Sequence, residues 1–162
     1  MKESFATPAA GAIISQEMGG VRCILLQTRQ KPDGGGTNGL LEIPAGKIRA
    51  YENIYDTLRR EVWEETGLTV TGIEGEELAT ASCCGGDQTI SFRPYCITQN
   101  LSGAYSLLLC TFLCTAQGKL LDSSPESADL RWVPLPEARS MLAARPEAFF
   151  PMHRNALRRF LA

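Results

Sequence analysis

Histidine is almost missing from this sequence: His153 is the only one in 162 residues, and it lies far along the chain from the cysteines. Those six cysteines (Cys23, Cys83, Cys84, Cys96, Cys110 and Cys114) contain no C-x-x-C pair, which excludes a zinc ribbon. They are expected to be reduced and to serve as small core hydrophobes, and none has a neighbouring histidine in sequence to activate it as a nucleophile. A surplus of charge of one sign is lacking too. The 16 basic and 18 acidic residues leave a net charge of -2, so nothing favours a nucleic-acid backbone or an anionic membrane as partner. An anionic ligand must then be held by local arginines or by a metal. No apolar run approaches the roughly 20 residues of a membrane span. The opening stretch MKESFATPAAGAIISQEMGG has one lysine followed by acidic and polar residues, with too little apolar core for a signal peptide. These absences point to a cytoplasmic protein. Hydrophobic residues are in good supply, at 44%, enough for one domain over residues 1–162 to bury a core without disulfides.

Short aliphatic runs at 9–15 and 21–27 flank Gly19-Gly20 and read as two strands joined by a turn. The glycine-rich stretch 31–39 reads as an exposed loop, and 40–43 as a further extended segment. Asn53 is a suitable helix N-cap, with Asp56 three residues on as a weak capping-box acid. Ile54, Leu58 and Val62 then recur every four residues, and Gly67 supplies a left-handed terminator, so a helix is expected over 54–66. Strands are expected at 69–80, 90–98 and 105–115, the last apolar on both faces as if covered on two sides. A short strand at 131–134 and helices at 136–144 and 151–161 complete the pattern.

Chemistry concentrates in Gly46 to Leu68, GKIRAYENIYDTLRREVWEETGL. Glu61, Glu64 and Glu65 stand three and four residues apart, which gathers their carboxylates on one flank of a helix, expected to face solvent, while Leu58 and Val62 face the core. Unpartnered, like charges so placed weaken the helix by a few tenths of a kcal/mol per pair. Two partners suit them: Arg59 and Arg60 as local ion pairs, or a hard divalent cation such as Mg²⁺, which prefers oxygen ligands.

This segment resembles the box of the Nudix hydrolase family, GX5EX7REUXEEXGU with U aliphatic, at every fixed position: Gly46, Glu52, Arg60, Glu61, Val62, Glu64, Glu65, Gly67 and Leu68. The flanking LEIPAGK (41–47) and ESADLRWVPLPE (126–137) are similar to the family's lead-in and closing segments, though less specific. The resemblance implies an α/β fold, an α/β/α sandwich around a mixed central sheet. It also implies a hydrolase using Mg²⁺ or Mn²⁺ to cut a phosphoanhydride bond. By the same resemblance Glu61, Glu64 and Glu65 would bind metal with the Ala45 carbonyl, Glu52 would support the site, Arg60 would orient the glutamates, and Gly46 would supply a tight turn near the cations. The general base would be a box glutamate or a loop acid, for which Glu126 in the polar loop 122–127 is the candidate.

The run ILLQTRQK (24–31) resembles the branch of the family that hydrolyses ADP-ribose and nucleotide sugars, and there Arg29 and Gln30 would help hold the diphosphate. Cys83 stands where that branch often has a proline, although Gly85 and Gly86 still suit a flexible substrate loop. The expected partner is a small nucleotide, with no nucleic acid or membrane and with a homodimer allowed. Nucleoside triphosphate pyrophosphohydrolysis and a non-catalytic nucleotide-sensing module are the alternatives.

Overall fold

Residues 3–162 are described by a computed structural model. Strands β1 (Thr7–Met18) and β2 (Val21–Arg29) form a hairpin whose two-residue turn, Gly19-Gly20, has positive φ at both positions (57° and 80°). Glycine takes that geometry without the Cβ penalty other residues incur. Strand β1 is the pivot of the sheet. Its first half, Thr7 to Ile14, runs parallel to β9 (Leu107–Gln117), while Ala9 to Gly11 pair antiparallel with β4 (Ala45–Lys47). Its second half pairs antiparallel with β2, which in turn carries β3 (Leu41–Glu42) and β10 (Ser127–Pro134). On the far side β9 carries β5 (Thr69–Ile73) and β8 (Cys96–Gln99), both antiparallel. The eight-stranded sheet is therefore mixed, as expected.

Alternation along the strands sends side chains to two separate cores. Ala10, Ala12 and Ile14 of β1 and Leu25 of β2 lie under helix α1 (Ile54–Thr66). Ile13, Ile24 and Leu26 face the opposite side, under α2 (Leu135–Ala144) and α3 (Pro151–Leu161). Strand β9 contributes to both, with Phe112 on one face and Leu113 on the other. The result is the α/β/α sandwich. Helix α1 has the anticipated ends: the Asn53 side chain accepts the Tyr55 N–H at 2.9 Å, and Gly67 closes the helix at φ 76°. Leu58 and Val62 are fully buried beneath it, each stabilising the packing by roughly 1.5–3 kcal/mol.

Three expected elements differ. The single strand at 69–80 is broken after Ile73 by a turn with Gly75 at φ 82°, and the chain resumes as β6 (Thr80–Cys84), which pairs only with β7 (Asp87–Ser91). Cys83 and Cys84 thus lie on an exposed strand, not in a loop, whereas Cys23, Cys110 and Cys114 are buried. The expected strand at 90–98 is split into β7 and β8 around Pro94, whose nitrogen cannot donate to a ladder. Strand β10 begins at Ser127, four residues earlier than the RWVP run indicates, because its start is recruited by pairing with Arg29. Among the described residues no helix is long and apolar enough to cross a membrane.

The link between β4 and α1 turns at Ala50-Tyr51, where Tyr51 adopts φ 63° with its side chain fully exposed. A left-handed conformation costs a non-glycine residue roughly 1 kcal/mol or more. Tyr51→Gly is therefore expected to stabilise the protein by up to about 1 kcal/mol, seen as a higher urea midpoint at unchanged slope. An unchanged or lower midpoint contradicts strain at this turn.

Candidate active site

Strand β4, the end of β2 and the outer flank of α1 converge on a cavity of about 350 Å³. Gly46 sits mid-strand in β4, opposite Ala10, so its role differs from the tight turn expected of it. A Cβ on Gly46 would lie 1.9 to 2.2 Å from the Glu61 carboxyl atoms; only glycine lets that carboxylate reach the strand.

The box glutamates do not share one environment. Glu64 is half exposed, but Glu61 and Glu65 are buried, which corrects the expectation of a solvent-facing flank. Arg60 is the hub of the outer group. Its Nε and Nη2 donate to the two oxygens of Glu52 at 2.7 and 2.9 Å, and its Nη1 reaches Glu61 at 2.5 Å and Glu64 at 3.2 Å. The two parallel bonds to Glu52 form the fork that suits arginine. They hold the Glu52 carboxyl down at about 2 and keep the Arg60 guanidinium firmly charged.

A second cluster lies deeper. Glu65 accepts from Gln27 Nε2 at 2.7 Å, from the Ala45 N–H at 3.2 Å and from Lys31 Nζ at 2.8 Å. Burial pushes its carboxyl up to about 7, with the Glu42 charge adding to the rise and Lys31 opposing it. Glu42 is itself buried and pairs with Arg29 Nη1 at 3.1 Å; burial raises its carboxyl and Arg29 counteracts. Burial alone would lower the Lys31 ammonium, but Glu65 and Glu126 outweigh it and the net direction is upward. Lys31 also contacts Glu126 and lies 3.5 Å from the Ala45 carbonyl oxygen.

The structure thus brings Ala45, Gly46, Arg60, Glu61, Glu64, Glu126 and Arg29 to the cavity wall, with Glu65 just beneath and Glu52 behind Arg60. Arg29 is more deeply engaged than a diphosphate clamp should be: besides Glu42 it donates from Nε to Thr37 at 2.9 Å, and its guanidinium lies 4.4 Å from the Phe150 ring centroid. Gln30 is exposed and does not line the cavity; its backbone N–H donates to the Glu126 carbonyl. Sequence reasoning missed Gln27, Lys31, Glu42 and His153. Only Glu42 carried a clear signal, since it interrupts the apolar run LLEIP; Gln27 and Lys31 sit in the wholly polar run QTRQK, where no alternation marks them out. The cavity lining also includes aromatic and aliphatic side chains, Tyr105, Leu107, Leu109, Phe150 and Met152.

Among the described residues no three His, Cys, Asp or Glu side chains are already arranged around a common metal position, because the carboxylates are turned onto Arg60 and Lys31. The donor chemistry nonetheless fits a hard divalent cation: carboxylates and one backbone carbonyl, all oxygen. The Lys31 ammonium, lodged among Glu65, Glu126 and the Ala45 carbonyl, shows that a positive charge is accommodated there.

The family model described as NUDIX domain matches residues 6–159, and the chain belongs to that family of hydrolases. Similar solved structures include a MutT protein from Methanosarcina mazei Go1 (21% identity, 99% of this chain and 96% of that one, TM-score 0.66). A NUDIX domain of Shewanella oneidensis NrtR complexed with ADP ribose is similar at 14% identity (97% and 86% covered, TM-score 0.64). A C. elegans Ap4A hydrolase is similar at 18% (95% and 94% covered, TM-score 0.55). At these identities the likeness establishes the fold alone. The comparison with curated proteins gives no match.

His153, fully buried at the start of α3, accepts the Ile43 N–H on Nδ1 at 3.2 Å, so its proton resides on Nε2. Burial, reinforced by the charges of Arg29 and Lys31, lowers its pKa to about 3 from the ordinary 6.5. Unfolding at mildly acid pH lets this imidazole take up a proton. Its contribution is therefore fully present above pH 6.5 and is lost as pH falls towards 3. His153→Asn keeps an acceptor for the Ile43 amide without a titrating group, and is expected to flatten the fall in urea midpoint between these pH values. Parallel curves for the two proteins rule out this role.

Proposed function

We propose that this Nudix hydrolase uses a divalent cation, Mg²⁺ or Mn²⁺, to hydrolyse the phosphoanhydride of a nucleoside diphosphate joined to a second group, with an ADP-ribose-like nucleotide sugar as the favoured substrate. The observation that carries this reading is the mixed lining of the cavity. Box carboxylates and the cationic Lys47 and Arg49 share it with Tyr105, Phe150 and aliphatic side chains. A ligand with a charged diphosphate and a flat, weakly polar base suits such a lining. The NUDIX domain complexed with ADP ribose shares the fold, and the similarity of residues 24–31 to the ADP-sugar branch agrees.

In this reading Glu61, Glu64, Glu65 and the Ala45 carbonyl would hold the cation, while Arg60 and Glu52 fix the outer glutamates. Bound there, the cation would lower the pKa of a water and neutralise phosphate charge. Gly46 leaves room for Glu61 against the strand, Lys47 and Arg49 offset the charge of the diphosphate, and Arg29, held by Glu42, shapes part of the wall. Glu126, half exposed at the cavity wall, accepts the proton of the attacking water. The water oxygen bonds to phosphorus as the bridging P–O bond breaks, and the electron pair leaves with the departing phosphate.

Purified protein with Mg²⁺ should convert ADP-ribose to AMP and ribose 5-phosphate with kcat/KM above that for any nucleoside triphosphate. Preferential release of pyrophosphate from a triphosphate overturns the substrate assignment, and full turnover in excess chelator overturns the metal-dependent mechanism. Because Glu64 is half exposed, Glu64→Gln tests chemistry without disturbing the core. Loss of a contact contributing about 4 kcal/mol to the transition state should lower kcat roughly a thousandfold. Tight binding of ADP-ribose with no turnover of any nucleotide would instead identify a sensing module.

A further inference from the structure

Gln27, Arg29 and Lys31 occupy alternate positions along the end of β2 and its continuation, so their side chains fall on one face, below the box helix. Each meets a carboxylate there. Gln27 donates to Glu65 at 2.7 Å, Arg29 to Glu42 at 3.1 Å and Lys31 to Glu65 at 2.8 Å. Of the three, Lys31 differs in what else it touches. Its ammonium has three protons to donate and three acceptors around it: Glu65 Oε1, Glu126 Oε2 and, at 3.5 Å, the Ala45 carbonyl oxygen. Glu65 and the Ala45 carbonyl belong to the set assigned above to the divalent cation. An ammonium and a divalent ion cannot share the same oxygens within a few ångströms, because their repulsion in a partly buried site is large.

The two basic groups beside the box differ in their freedom to leave. Arg60 is fixed by the two-bond fork on Glu52. Lys31 is a point charge on a flexible four-carbon arm at the wall of the cavity, with open space to move into. We infer that Lys31 is the built-in counter-cation of this site: its ammonium neutralises Glu65 beside the Ala45 carbonyl and gives up both to an incoming divalent cation. This rests on the metal dependence proposed above. It assigns Lys31 a positioning role, holding buried Glu65 and half-exposed Glu126 together until the cation arrives.

Opposite signs distinguish this role from a merely structural one. In chelator, Lys31→Met should melt below the wild type, because Glu65 loses its partner. With Mn²⁺ as probe, read by electron paramagnetic resonance or calorimetry without substrate, the same variant should bind at least about tenfold more tightly, because the competing charge is gone. Lys31→Arg, which keeps the charge, should not gain affinity, and neither should Lys119→Met, which removes a charge from an exposed position elsewhere. Unchanged or weaker Mn²⁺ affinity in a folded Lys31→Met protein overturns the inference. Should Lys31→Met be unfolded in chelator, recovery of the fold on adding Mn²⁺ supports the exchange, and failure to recover overturns it. Wild-type protein that neither binds Mn²⁺ nor turns over ADP-ribose overturns the proposed function as well. Wild-type protein that does both, while Lys31→Met matches its Mn²⁺ affinity, overturns the counter-cation role alone.

Discussion

Burial of carboxylates is the constraint around which this molecule is organised. Glu42 and Glu65 are almost wholly removed from water, and an unpaired charge in that position is far more costly than any single apolar contact can offset. Each is therefore tied to a cation and to neutral donors: Glu42 to Arg29 and Gln27, Glu65 to Lys31, Gln27 and the Ala45 amide. Even so, burial outweighs these partners and leaves the Glu65 carboxyl raised above its ordinary range. A divalent cation would supply further positive charge directly.

The scaffold brings these groups together by ordinary local rules. Strand alternation puts Gln27 and Arg29 on one side of β2 while Leu26 goes into the core on the other. Helical spacing puts Glu61 and Glu65 one turn apart, next to the buried stripe of Leu58 and Val62. A missing side chain at Gly46 lets helix and strand approach, and the Ser127 hydroxyl donates to the Glu65 carbonyl at 2.8 Å, pinning the start of β10, and with it Glu126, beside the end of α1. The acid from the distant loop thus arrives next to the box through one hydrogen bond and the pairing of β10 with β2.

Much of this was legible in the sequence because it is written in short-range patterns. The Asn53 cap, the four-residue stripe of Ile54, Leu58 and Val62, and the Gly67 terminator place α1 at its observed ends. The double apolar face of 105–115 anticipates a strand covered on two sides. Less visible was anything set by contacts between distant segments. Glu61 and Glu65 were expected at the surface because they are charged, although helical periodicity sets Glu65 only about 20° from buried Leu58; the partners that make its burial tolerable come from β4 and the end of β2. Arg29 was expected to meet phosphate, yet Glu42 and Phe150 claim it first. Gly46 was assigned to a turn because glycine so often makes one, whereas its need here is steric and comes from Glu61, fifteen positions along the chain. Lys31 sat within a stretch read as loop, and only the folded chain shows three acceptors converging on it.

The central claim is that Glu65 and the Ala45 carbonyl release an internal ammonium to a divalent cation, with Glu61 and Glu64 completing its oxygen ligands. Anomalous diffraction from a crystal of the protein equilibrated with Mn²⁺ tests it most directly. The account predicts a manganese peak in contact with Glu65 and the Ala45 carbonyl, with the Lys31 side chain withdrawn from both. A peak elsewhere, or a manganese-saturated crystal in which Lys31 still bridges Glu65 and the Ala45 carbonyl, would contradict it.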